Sequence, residues 1–258
     1  MGAIIAIARN TLMETVRQPV YGLALTLACV IVLCTPYMSG HVYVFNAGSG
    51  LAAPAERMIA DIGLSTVLLM GLILGIHATA GVVSREIENK TALSVLSKRV
   101  GRWAFILGKY FGVALALLFA CAAGVVFVLM TVRTGVAVAV SDPIDWWALG
   151  TMISVLVFAA LYATFRNYYR GRAWVGAYTM AFIALTLAVF AVFSTFDRNY
   201  RPIFLPRAEY EPDDPNRYEK EQRAGRTFDW EVAKAGLLTA EAVLLMAAVA
   251  IAASSRFV

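Results

Sequence analysis

The stretch Ser84–Arg102, SREIENKTALSVLSKRVGR, gathers Arg85, Glu86, Glu88, Lys90, Lys98, Arg99 and Arg102 between long runs of Leu, Ile, Val, Ala and Phe. Carboxylates and guanidinium groups packed this closely are suited to charge-assisted hydrogen bonds with a partner surface. Within the stretch, Thr91–Lys98 (TALSVLSK) reads as a short helix. Leu93, Val95 and Leu96 give it apolar surface, with Glu86 and Glu88 ahead of it and Lys98 and Arg99 behind. Acids near a helix start and bases near its end match the macrodipole. Two readings are open: a docking element for another protein, or a helix that lies against lipid headgroups.

Other reactive groups are sparse. The two histidines, His41 and His77, belong to no H-E-x-x-H, and no G-x-S-x-G is present. The three cysteines, Cys29, Cys34 and Cys121, sit singly in apolar runs and read as small buried hydrophobes. A nucleotide-binding P-loop needs G-x-x-x-x-G-K-[ST], because backbone amides cradle the phosphates and the hydroxyl holds Mg²⁺. Gly108-Lys109 is followed by Tyr110, so that match fails. The chain is therefore not expected to be an enzyme, to carry a cofactor or metal, or to hydrolyse ATP itself.

The elements that position these groups are apolar. Of 258 residues, 60% are hydrophobic and 15% charged, far from the roughly one-quarter charged of a soluble domain. The net charge of +5 is better explained by Lys and Arg retained beside a membrane than by nucleic acid. A spanning helix needs about 20 apolar residues. Six segments qualify: Pro19–Ser39, Ile59–Val83, Trp103–Val132, Ile144–Phe165, Ala173–Phe196 and Val232–Ser254. The fold class expected is all-α, one polytopic domain over residues 1–258. Ahead of the spans, Gly2–Gln18 places Ile4, Ile5, Ala8, Leu12 and Val16 at helical spacing, as in an interfacial helix that precedes an uncleaved first span. Trp103, Trp146, Trp147, Trp174 and Trp230 fall at span ends, where aromatic belts sit. Gly71-x-x-x-Gly75 and Gly108-x-x-x-Gly112 read as close-packing points within the bundle.

Lys and Arg set the orientation. With the amino terminus inside, the inner side holds Arg9, Arg17, the charged stretch, Lys109, Arg166, Arg170, Arg172 and Arg256; the two short outer loops hold Arg57 and Arg133. Both termini are thus expected in the cytoplasm of a cell whose cytoplasmic (inner) membrane the chain crosses. The long segment Asp197–Glu231, with seven basic and nine acidic residues, falls outside. Pro202, Pro206, Pro212 and Pro215 punctuate it, and Asn216–Arg226 reads as a short solvated helix. It is either a polar surface loop or a cap that docks an extracytoplasmic protein. Glu241 lies near the middle of the last span, where a charge is costly and marks a functional position by default. It lines a translocation path or is a hydrogen-bonding group between helices. His77 carries the same alternatives.

The run REIENKTALSVLSKRVGRWAFILGKYFG resembles the signature loop of type-2 ABC exporter permeases: E-x-E-x-G-T, a Leu-rich turn, Pro-[Val/Leu]-[Ser/Gly]-Arg, then an apolar stretch that ends in Gly-Lys. Glu86, Glu88, Thr91, Leu93, Leu96, Val100, Gly101, Arg102, Gly108 and Lys109 match; Lys90 and Arg99 stand where the family has Gly and Pro. The amino-terminal I-A-R-x-x-L-x-E-x-x-R, here Ile7 to Arg17, is also common in the family, and the plan is similar to its short, homodimer-forming members, such as the nitrous-oxide-reductase maturation permeases. The resemblance implies a transport function: a permease subunit whose residues 84–102 form a coupling element docked on a separate cytoplasmic ATPase subunit, which holds the ATP and Mg²⁺. Glu86, Glu88, Thr91, Leu93, Leu96, Lys98, Arg99 and Arg102 would carry the docking. A second permease copy would complete the pathway. The alternatives are a subunit of the same plan that does mechanical work on an external protein, or a membrane-embedded enzyme.

Overall fold

The computed structural model describes residues 2–47, 55–89, 102–134, 145–171, 173–196, 202 and 230–254. These form seven helices: α1 (Gly2–Val16), α2 (Pro19–Ala47), α3 (Ala55–Asn89), α4 (Arg102–Thr134), α5 (Trp146–Arg170), α6 (Trp174–Phe193) and α7 (Trp230–Ser254). All but α1 are long and apolar enough to cross a bilayer, so the chain is an all-α, multi-pass membrane protein.

The six spans alternate in direction. α1, the end of α3, the start of α4 and the α5–α6 turn therefore share one end of the bundle with the end of α7. α4 is the central helix. It touches every other helix, and 67% of its apolar stretch is buried, against 22% for α7. α2, α3 and α7 pack around it on one side, and the hairpin α5–α6 on the other.

Glycines let the helices approach. Val128 of α4 faces Gly63 of α3, and Val67 of α3 faces Gly124 of α4; a Cβ at either glycine would fall 2.9 Å from the valine methyls. Gly71 receives Val243 of α7, and Gly236 of α7 receives Val125 of α4. Gly108 and Gly112 face α1, with Ala8 O only 2.6 Å from where a Gly112 Cβ would stand. Gly71, Gly108 and Gly112 thus serve close packing inside this chain, in agreement with their reading as bundle contacts, whereas Gly75 is in ordinary contact with Leu117.

The face of α1 differs from expectation. Its buried side is Ala8, Thr11, Thr15 and Val16, whereas Ile5 is 67% exposed. The face that meets Gly108 and Gly112 is built from Ile4, Ile7, Ala8 and Thr11, which turns Ile5 outward.

The span ends shift too. Helix α5 runs to Arg170, so Arg166 and Arg170 are helical and not in a loop; Gly171, with φ 59, ends it and donates its N–H to Asn167 O. Helix α6 stops at Phe193, before the expected Phe196, and Phe196 then pairs with Pro202 in an isolated antiparallel bridge. The short helix expected over Asn216–Arg226 lies outside the described residues.

Several polar groups within the spans are satisfied locally. Pro36 inside α2 cannot donate an N–H to Val32 O, and the Thr35 hydroxyl donates to that carbonyl instead. Tyr21 Oη donates to Ala116 O at 2.6 Å and ties α2 to α4; the Thr26 and Tyr178 hydroxyls, 2.7 Å apart, tie α2 to α6.

Candidate functional site

The charged stretch begins on helix rather than loop. α3 continues six residues past the expected end of its span and carries Arg85, Glu86 and Glu88 on its last turns. Apolar periodicity gave out at Val83, but nothing in REIEN breaks a helix, so the helix runs on into polar sequence. Arg102 opens α4. Thr91, Leu93, Leu96, Lys98 and Arg99, with the expected short helix Thr91–Lys98, lie outside the described residues.

Glu86 and Glu88 thus fall at the C-terminal end of the 35-residue α3, ahead of Thr91–Lys98 in the chain, and Arg102 falls at the start of α4.

Around this end the scaffold is firm. α1 lies along the first turns of α4 through Gly108 and Gly112, and the contacts advance together, Ile4 and Ile7 at Gly108 and Ala8 and Thr11 at Gly112. Lys109 Nζ sits 4.6 Å from the Phe105 ring centroid. Gln18, in the turn between α1 and α2, lies beside Gly81 of α3.

The two intramembrane groups are not brought together. Glu241 is exposed on the bare face of α7, among Leu237, Leu238, Leu245 and Met246, each more than half exposed. His77 is half-buried on α3. Gly71 meets Val243, and α3 and α7 run in the same direction, so Glu241 and His77 sit at depths about 12 Å apart along the helix axes. Neither side chain has a hydrogen-bond partner among the described residues. They form no shared site within one chain. Among the described residues, no group of three or more His, Cys, Asp or Glu is placed to hold a metal ion.

Sequence reasoning missed Arg133. Counted as a loop cation, it is buried at the far end of α4, 4% exposed. Its Nη1 donates to Phe193 O at 3.1 Å and Phe196 O at 3.3 Å, at the carbonyl end of α6. The guanidinium lies 5.0 Å from the Phe193 ring centroid, and its Nε is 4.0 Å from Asp145 Oδ2. Asp145 also caps α5 by accepting from Ala148 N at 3.1 Å. Arg133 thus clamps α4, α5 and α6 at the end opposite the charged stretch. The signal in the sequence was an Arg followed, twelve residues later, by Asp at a helix start. Arg17 and Arg166 were likewise counted only as cytoplasmic charges, yet both line one cavity.

The chain matches no protein-family model, no curated protein and no solved structure.

Proposed function

We propose that this chain is the permease subunit of an ATP-driven exporter, with residues 84–102 as the element through which a separate cytoplasmic ATPase drives it. The observation that carries the reading is the site of Glu86 and Glu88. They stand at the end of an unbroken 35-residue helix, and the chain from there continues in sequence to α4, which touches every other helix. A cationic groove on a partner would pair with those carboxylates, and any displacement of the stretch would pass along α3 and α4 into the whole bundle. The motif resemblance supports the same reading. The basic residues at this end of the bundle support a cytoplasmic placement, and so both termini inside the inner membrane.

On this reading a second copy completes the translocation path, and the bare face of α7 with Glu241 is oriented to that path. ATP binding closes two partner ATPase subunits, presses the two coupling stretches together and rocks the spans. The work of this chain is mechanical transmission; hydrolysis belongs to the partner.

Charge reversal tests it. In Glu86→Lys/Glu88→Lys, the chain should still insert in the membrane, while the ATPase that co-purifies with the wild type is lost. An ATPase that stays bound and turns over normally in the variant contradicts the assignment.

A further inference from the structure

At the same end of the bundle, α1, the turn after it, α5 and α6 line an open-sided cavity of about 310 Å³. Its polar lining is Arg17 and Arg166; Met13, Val16 and Met180 are apolar lining, and Gly176 also borders it. We propose that this cavity binds the phosphate of an anionic phospholipid, with the guanidinium groups on the headgroup and the apolar wall against the acyl chain.

The geometry is specific. The Arg17 stem crosses α6 at Gly176, where a Cβ would fall 2.8 Å from Arg17 Cγ, so the first turn of α6 has room for it only because that residue is glycine. The crossing holds the stem against α6 beside the cavity. Arg166 reaches in from α5: its Nη1 donates to Tyr162 Oη at 3.0 Å, and its Nε is shielded from solvent with no hydrogen-bond partner among the described residues. No described carboxylate lies within ion-pair distance of either guanidinium. Ala173, at the N-cap of α6, also lines the cavity and offers no side-chain cap, so the amides of the first turn add positive potential.

Depth decides between lipid and soluble phosphate. Trp174, the first residue of α6, stacks on Tyr178 with ring centroids 5.1 Å apart, and α5 ends in the aromatic pair Phe165–Tyr169. Such a belt marks the membrane–water interface. A basic pocket between helices at that depth meets a lipid headgroup, and its apolar wall has a use only if the ligand carries a chain.

The test is thermal unfolding of the purified, delipidated full chain in detergent. Added dioleoyl phosphatidylglycerol should raise the midpoint about 3–5 °C above the effect of dioleoyl phosphatidylcholine. Inorganic phosphate at millimolar concentration should not raise it. Arg17→Gln/Arg166→Gln should lose the phosphatidylglycerol response, and Arg170→Gln, on an exposed position outside the cavity, should keep it. If the double variant does not fold, Met180→Trp fills the cavity without removing charge, and native mass spectrometry should then find less retained phosphatidylglycerol than on the wild type. The proposal is overturned by a phosphatidylglycerol response that survives in the double variant or retention that survives Met180→Trp, or by equal effects of the two lipids. Equal protection by inorganic phosphate would overturn the lipid assignment in favour of a soluble phosphate.

Discussion

Tyr21 and Glu241 stand for the two ways a polar side chain lives in this bundle. Tyr21 is buried, and its hydroxyl is spent on one carbonyl of the central helix. Tyr21→Phe keeps the ring and leaves Ala116 O one donor short. Interhelical hydrogen bonds in membranes average about 0.6 kcal/mol and reach about 1.7. The variant should lose stability within that range, read by denaturant unfolding in micelles. Glu241 makes no hydrogen bond within the described chain, so Glu241→Gln breaks none, and its stability should stay within about 0.5 kcal/mol of the wild type. On the proposed function its cost falls on transport, measured as ATP-driven efflux in sealed vesicles. Normal transport in the variant would reduce Glu241 to a lipid-facing or packing residue. Glu241 was legible in the sequence, because a lone acid among Leu, Val and Met is conspicuous. The clamp at Arg133 was legible only through Asp145. Its hydrogen bonds go to the backbone carbonyls of residues 193 and 196, and backbone leaves no mark in residue type.

The helices themselves were legible because apolar length alone decides a span, and each of the six was found within a few residues of where hydropathy placed it. Their ends were not, because a helix continues into polar sequence wherever no Gly or Pro stops it, as α3 does through Glu88 and α5 through Arg170. Nor did residue type distinguish one small-residue pair from another. Gly75 and Gly112 look alike in sequence, yet a Cβ at Gly75 would meet only Leu117 Cδ1 at 3.8 Å, while one at Gly112 would meet the Ala8 carbonyl at 2.6 Å. The first is ordinary contact with a flexible side chain; the second is overlap with backbone that must shift. Gly75→Ala should therefore be neutral or stabilising by up to about 1 kcal/mol through helix propensity. Gly112→Ala should destabilise by about 1–3 kcal/mol, the usual cost of overpacking. Thermal midpoints of the two variants should move in opposite directions or, at the least, differ clearly. Equal midpoints would mean that α1 does not rest on α4 as described.

At the scale of the molecule, one end gathers α1, the end of α3, the start of α4, the α5–α6 turn and most of the described Lys and Arg, while the opposite end is held by the Arg133 clamp. That asymmetry underlies both the proposed coupling role and the proposed lipid cavity, and the proposed coupling role requires this end to face the cytoplasm. The sidedness can be read directly. A single cysteine at Ser97, in a background with Cys34 replaced by Ala and with the buried Cys29 and Cys121 left in place, is treated in intact cells with a membrane-impermeant maleimide. The coupling account predicts no labelling until the membrane is permeabilised and full labelling afterwards. Labelling of intact cells would put the charged stretch on the outer surface, out of reach of any cytoplasmic ATPase, and would contradict the account.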